Sequence, residues 1–226
     1  MITTLTTAAA TTAHDDIERY CREIADATRA MPFAAIARAV ERLYDCYRRG
    51  GTVFVVGNGG SAATASHFAC DLAKGTRTEG LPALRVVPLT DNVPLLTAWA
   101  NDTSYDRVFA EQLAALVRPG DVLVAISASG NSPNVLAAAR VARGAGATTI
   151  ALSGRDGGRL ARLADLAVCI PADPIEQVED AHVIVAHSLC VALRQQLRAE
   201  AAARLSTAAP ATPHAPLADP IAADSD

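Results

Sequence analysis

Two separated groups of acids and imidazoles carry the chemical potential of this chain. His67 and Asp71 stand four residues apart, and far downstream come Glu179, Asp180, His182 and His187. On a helix, positions i and i+4 stack on one face, so His67 and Asp71 would share a face. Val183 and His187 would share a second stripe, bordered about two turns earlier by Glu179 and Asp180. Imidazole with carboxylate suits zinc or another borderline divalent ion. The same groups also suit general acid–base catalysis without a metal. Spacing alone leaves three plainer readings open: His67/Asp71 as a surface pair, His187 as a satisfied core histidine, and His182, off the stripe, as a packing residue.

Two short loops offer a different chemistry. Val53 to Val56 is an apolar run leading into Gly57-Asn58-Gly59-Gly60-Ser61-Ala62, and Val122 to Ile126 leads into Ser127-Ala128-Ser129-Gly130-Asn131-Ser132. Each reads as a strand ending where a helix begins, a junction that presents backbone N–H groups and a positive helix dipole to an anion. Ser127, Ser129 and Ser132 add three hydroxyls, while Ser132-Pro133 reads as an N-cap followed by proline in the first turn. Such a loop suits a phosphate dianion, although a serine-rich capping turn has the same letters. The first loop also satisfies the GxGxxA dinucleotide pattern. That scheme wants an acid closing the next strand; Asp91 fits poorly behind Pro88-Leu89-Thr90, and the serine loop has no role in it.

The elements that must hold these groups follow from hydrophobic periodicity. Helices are predicted over 15–30 and 33–49, strands over 52–56, 83–87, 121–126, 148–152 and 166–170, and helices between them over 61–74, 105–117, 133–145 and 157–163. The strands are nearly unbroken apolar runs, the mark of a sheet covered on both faces, and their alternation with helices implies right-handed βαβ units in a parallel, doubly wound α/β sheet. A long helix over 175–204 closes a domain read as residues 15–205, between a loose start (1–14) and a disordered Pro/Ala-rich tail (206–226). Half of the 226 residues are apolar, enough for one sizeable core, and a net charge of −4 without basic runs gives no reason to expect nucleic acid. Five widely spaced cysteines without a CxxC pair predict core thiols in a reducing, cytoplasmic setting. Neither a signal peptide nor a membrane-length apolar run is seen.

In order and spacing, Val56 to Ser61, His67-Phe68-Ala69-Cys70-Asp71-Leu72, Asn101-Asp102, Ser127 to Ser132 and Glu179 to His187 resemble the sugar isomerase (SIS) domain family, and within it the phosphoheptose isomerases, over roughly residues 15–200. The resemblance implies a three-layer αβα sandwich with a five-stranded parallel, flavodoxin-like sheet, N-terminal helices and a long C-terminal helix. It implies conversion of D-sedoheptulose 7-phosphate to D-glycero-D-manno-heptose 7-phosphate through a cis-enediol. Its substrate contacts fall on Asn58, Gly59, Gly60, Ser61, Asn101, Asp102, Ser127, Ala128, Ser129, Ser132 and Glu179. Its metal ligands, for one zinc per subunit, fall on His67, Asp71, Glu179 and His187, with Asp71 as base and His187 as acid. It further implies a homotetramer with active sites between subunits. Alternatives within the superfamily are a non-catalytic sugar-phosphate-binding regulator or an isomerase of another sugar phosphate.

Three positions depart from the family pattern. Asp71 stands for the usual glutamate, Glu179 for the usual glutamine, and Ala128 for a residue that often bears a hydroxyl. Losing a methylene at Asp71 retracts the carboxylate by roughly 1.5 Å, a displacement worth on the order of a hundredfold in rate if uncompensated. The added charge at Glu179 would strengthen it as a ligand, and Glu179 is also an alternative base. The chemical types are kept, so the expectation is a retuned enzyme.

Overall fold

The computed structural model describes residues 12–207; the segments up to residue 11 and from residue 208, read from sequence as loose, lie outside them. Helix α1 (Ala13–Arg29) opens on a capping box. Thr12 Oγ1 accepts from the Asp15 N–H at 3.2 Å and the Asp15 carboxylate accepts from the Thr12 N–H at 3.0 Å. That box starts the helix two residues before Asp15. Pro32 then separates α1 from α2 (Phe33–Arg48).

Five parallel strands follow: β1 (Thr52–Val56), β2 (Arg85–Pro88), β3 (Val122–Ile126), β4 (Thr148–Gly154) and β5 (Leu166–Ile170), ordered β2-β1-β3-β4-β5. Successive side chains leave opposite faces, and both faces are covered. Val53, Val55, Val122 and Val124 pack with α2, α3 (Gly60–Cys70) and α8 (Ile175–Thr207). Phe54, Val56, Leu123 and Ala125 pack with α5 (Val108–Leu116), α6 (Pro133–Gly144) and α7 (Gly158–Leu163). This two-sided cover explains the unbroken apolar runs. β2 is the exception: Arg85 is exposed and Val86 to Pro88 are half-buried, because it is an edge strand, where a proline is tolerated.

One helix was not expected. No element is predicted from sequence between 88 and 104, yet α4 spans Val93–Asp102. The Asn92 side chain caps it, accepting from the Leu95 N–H at 3.1 Å, and Pro94 sits in the first turn, where its missing N–H leaves nothing unpaired. None of its residues is buried.

The strand order reverses between β1 and β3. Their crossovers leave on opposite sides, which opens a crevice beyond their carboxyl ends, where open α/β sheets bind ligands. Both phosphate-type loops sit there. No helix among the described residues is long and apolar enough to cross a membrane.

Candidate active site

The first loop is shaped by its glycines, and a Cβ on Gly57 would stand 2.5 Å from the Ser61 carbonyl oxygen. Gly59 adopts φ 54, ψ −123, a conformation strained for L side chains. A Cβ on Gly60 would lie 2.6 Å from Glu179 Oε2, so glycine there leaves room for that carboxylate against the start of α3. There the negative charge meets the positive end of the helix. Ser61 is buried beneath the loop. Asn58 exchanges two 2.8 Å hydrogen bonds with Asn134 at the start of α6, and the Tyr105 hydroxyl donates to Asn58 Oδ1 at 3.0 Å. The first loop is therefore braced to the helix that follows the second.

In the second loop, the Gly130 N–H donates to the Ser127 carbonyl at 2.9 Å, turning the chain. Ser127 and Ser132 share a hydroxyl–hydroxyl bond of 3.1 Å, and Ser129 Oγ accepts from the Asn131 N–H at 3.2 Å. Ser132 occupies the N-cap of α6, yet its side chain does not cap. It turns to Ser127 instead, which favours an oxygen-rich cradle over an ordinary capping turn. Ala128 is half-buried against the core.

Three groups from distant segments converge beside α3. His67 lies in the last turn of α3, and Asp71 begins a π-helical turn (Asp71–Gly75) that continues it; such widened turns recur at functional sites. His187 comes from α8. The two Nε2 atoms are 3.3 Å apart, and each lies 3.5 Å from Asp71 Oδ2. The rings meet edge to face, with centroids 5.0 Å apart. Two imidazole nitrogens and a carboxylate oxygen within 4.8 Å of one another form a donor set that fits a borderline divalent ion. Glu179 is outside this trio. It lies eight residues before His187, about 12 Å along the α8 axis, and is seated at Gly60 instead.

Asn101 and Asp102 close α4 and are exposed, with Asn101 Nδ2 donating to Asp102 Oδ1 at 2.9 Å. A cavity of about 300 Å³ lies between α4 and the first loop, lined in part by Asn58, Gly59, Ala100 and Tyr105. A cavity of about 340 Å³ at the opposite end of the sheet, near Thr52 and Asp121, touches none of these groups.

A profile of the SIS domain family matches residues 8–154. The phosphoheptose isomerase of Trichlorobacter lovleyi is 42% identical over 164 residues, covering 73% of this chain and 83% of that protein. That of Rhodospirillum rubrum is 42% identical over 178 residues, 78% of this chain and 94% of the other. This chain belongs to the phosphoheptose isomerase family of SIS-domain proteins. The structure of a phosphoheptose isomerase from Francisella tularensis superposes with a TM-score of 0.77 at 34% identity, over 82% of this chain and all of that one. The one from Neisseria gonorrhoeae superposes at 0.76 and 33% identity, over 81% and 100%.

Two strongly shifted groups lie on α8 near the site of this family member. His182 is fully buried among α8's inward residues, and burial pushes its pKa down to about 4. Neither ring nitrogen has a hydrogen-bond partner, so it packs as a neutral ring, as its position off the stripe predicts. Cys190 is buried one turn from His187, and burial, reinforced by the Asp71 charge, pushes its thiol up to about 12. The expectation of core thiols holds for Cys46 and Cys190, whereas Cys21 and Cys70 are exposed because they fall on outward helix faces. Sequence reading passed over Tyr105 and Asn134. Asn134 directly follows Ser132-Pro133, the one signal that could have drawn attention to it.

Proposed function

We propose that this chain is an aldose–ketose isomerase that interconverts D-sedoheptulose 7-phosphate and D-glycero-D-manno-heptose 7-phosphate. The observation that carries the reading is the meeting of His67, Asp71 and His187 within 3.5 Å, in a chain 42% identical to proteins named phosphoheptose isomerase. The serine loop holds the phosphate through Ser127, Ser129 and Ser132. Asn58, Gly59, Gly60 and Ser61, with Asn101, Asp102, Ala128 and Glu179, shape the rest of the pocket. Phosphate contacts remote from the reacting carbons orient the sugar so that binding energy serves the proton transfer.

Asp71 Oδ2 faces both imidazoles, which leaves Oδ1 to take the proton from the carbon beside the carbonyl. His187 delivers a proton to the carbonyl oxygen, giving the cis-enediol. Asp71 then returns its proton to the neighbouring carbon while His187 accepts the proton of the other hydroxyl, whose oxygen becomes the new carbonyl. His67, Asp71 and His187 would hold a divalent ion, zinc by the chemistry of the donors, while Glu179 is seated at Gly60. When bound, that ion would polarise the carbonyl and make the carbon acid stronger. The reading extends to a homotetramer with sites at subunit interfaces. It is supported by the unburied helix α4 and by Ile184 and Val191 on the outer face of α8, 37% and 46% exposed. Five free cysteines support a cytoplasmic setting.

Turnover of sedoheptulose 7-phosphate with deuterium uptake from heavy water tests the proposal. Asp71→Asn and His187→Ala are each expected to reduce turnover at least about a hundredfold while keeping the circular dichroism of the parent. Exchange confined to hexose or pentose phosphates would move the substrate assignment, and binding without any exchange would make the protein a sugar-phosphate sensor.

A further inference from the structure

A dianion must be neutralised as well as hydrogen-bonded, and the serine loop contains no cation. Beside it lies a second cavity of about 230 Å³, walled by Ser129 and Asn131 from the loop, Arg155 and Asp156 from the exit of β4, and Asp173 from the approach to α8. Arg155 is the only cation among its described lining residues. Its backbone is peculiar: at φ 51 it is the one non-glycine residue in the left-handed region among the described residues. Glycine or asparagine would occupy that turn more easily, and the backbone bond made there, Arg155 N–H to the Ile170 carbonyl at 2.8 Å, asks for no particular side chain. Strain of this kind gathers where a side chain is needed.

The guanidinium is occupied, but lightly. It donates to the Asp173 carbonyl at 2.8 Å and pairs with the Asp173 carboxylate at 3.1 Å. Asp173 is 88% exposed and Arg155 65%, so this pair is wet and easily broken. Asp156 is engaged elsewhere, accepting from the Gly158 N–H at 3.2 Å. The loops are locked together by close packing, since a Cβ on Gly130 would stand 2.0 Å from the Gly157 carbonyl oxygen. Arg155 is thus carried on a rigid platform at the rim of the phosphate-type loop, with a planar fork suited to two phosphate oxygens.

We propose that Arg155 is the cationic clamp of the phosphate subsite, and that Asp173 is its resting partner, displaced when the substrate phosphate enters. The proposal rests on the sugar-phosphate reading above and adds to it a positioning residue and a built-in competitor. The acid paired with Arg155 then has a consequence. A phosphate must out-compete Asp173, which sets affinity lower than the bare loop and arginine would give and favours release of product.

The test uses two variants and two probes on the full chain. Arg155→Gly removes the side chain while relieving the left-handed strain, so Tm should hold or rise. Binding of inorganic phosphate, followed by phosphorus NMR line broadening, should weaken about tenfold, and KM for sedoheptulose 7-phosphate should rise by a similar factor with most of the effect in KM. Asp173→Asn should act oppositely, tightening phosphate about threefold. Unchanged phosphate binding in Arg155→Gly, no detectable phosphate binding in the wild type, or weakened binding with a fallen Tm would each overturn the proposal. Failure of the wild type to turn over the heptose phosphate would refute the function instead, and the phosphate titrations would still decide the role of Arg155.

Discussion

Lowering the pH from neutrality sets one buried histidine against the folded state. His182 is fully buried with both nitrogens unpartnered, and its pKa falls to about 4 from 6.5 in the unfolded chain. Between those values the unfolded chain binds the proton and the native one does not, so stability is complete above the unfolded value and drains away as pH falls toward the folded one. From these two constants the loss from pH 7 to pH 5 is about 2 kcal/mol, rising to about 3 kcal/mol by pH 4. Urea unfolding at fixed protein concentration, at pH 7, 6 and 5, measures it. The comparison is with His182→Leu, which keeps every carboxylate but removes this titration. The variant should lose about 2 kcal/mol less than the parent over that interval. His182→Met serves the same purpose should leucine fit poorly. Equal losses in parent and variant would show that the imidazole is charged or hydrated in the folded state, and the reasoning would fail.

Four further outcomes are expected. Zinc affinity, measured by competition with a fluorescent chelator, should fall more than about tenfold in His67→Ala. Ser127→Ala, which removes one partner of the 3.1 Å hydroxyl pair, should raise KM for the sugar phosphate about tenfold with little change in thermal unfolding. Tyr105→Phe deletes one of the two bonds to Asn58 Oδ1 and should lower kcat/KM a few-fold, at a stability cost below about 1 kcal/mol because the ring is largely exposed. Leu123→Ala empties a fully buried position on the central strand and should cost about 2–5 kcal/mol in chemical denaturation.

Much of the architecture was legible because the physics that fixes it is periodic. A parallel sheet covered on both faces leaves unbroken apolar runs, and each of the five predicted windows overlaps a strand. The two loops were visible through residue types that backbone turns and anions both demand. Other features carry no periodic mark. Helix α4 hides behind prolines that are neutral in a first turn. The π turn at Asp71 depends on one extra residue per turn, invisible in an apolar pattern. The seat of Glu179 against Gly60 and the brace from Tyr105 and Asn134 to Asn58 join residues far apart in the chain, so no local window contains them. Helical spacing put His67 beside Asp71 correctly, but only packing could bring His187 to the same point and leave Glu179 two turns away.

The crossing of α3 and α8 has an outcome of its own. The cleft beneath the imidazoles runs between these helices, lined by Thr64 and Phe68 on one and by Val183 and Ala186 on the other. The gap separating His67 from His187 is therefore a property of a joint rather than of either residue. Widening that joint by a methyl or two, at positions with no titratable atom, would detune the proton-handling pair as surely as replacing it, and adjusting it offers a way to retune the reaction without altering a single reactive group.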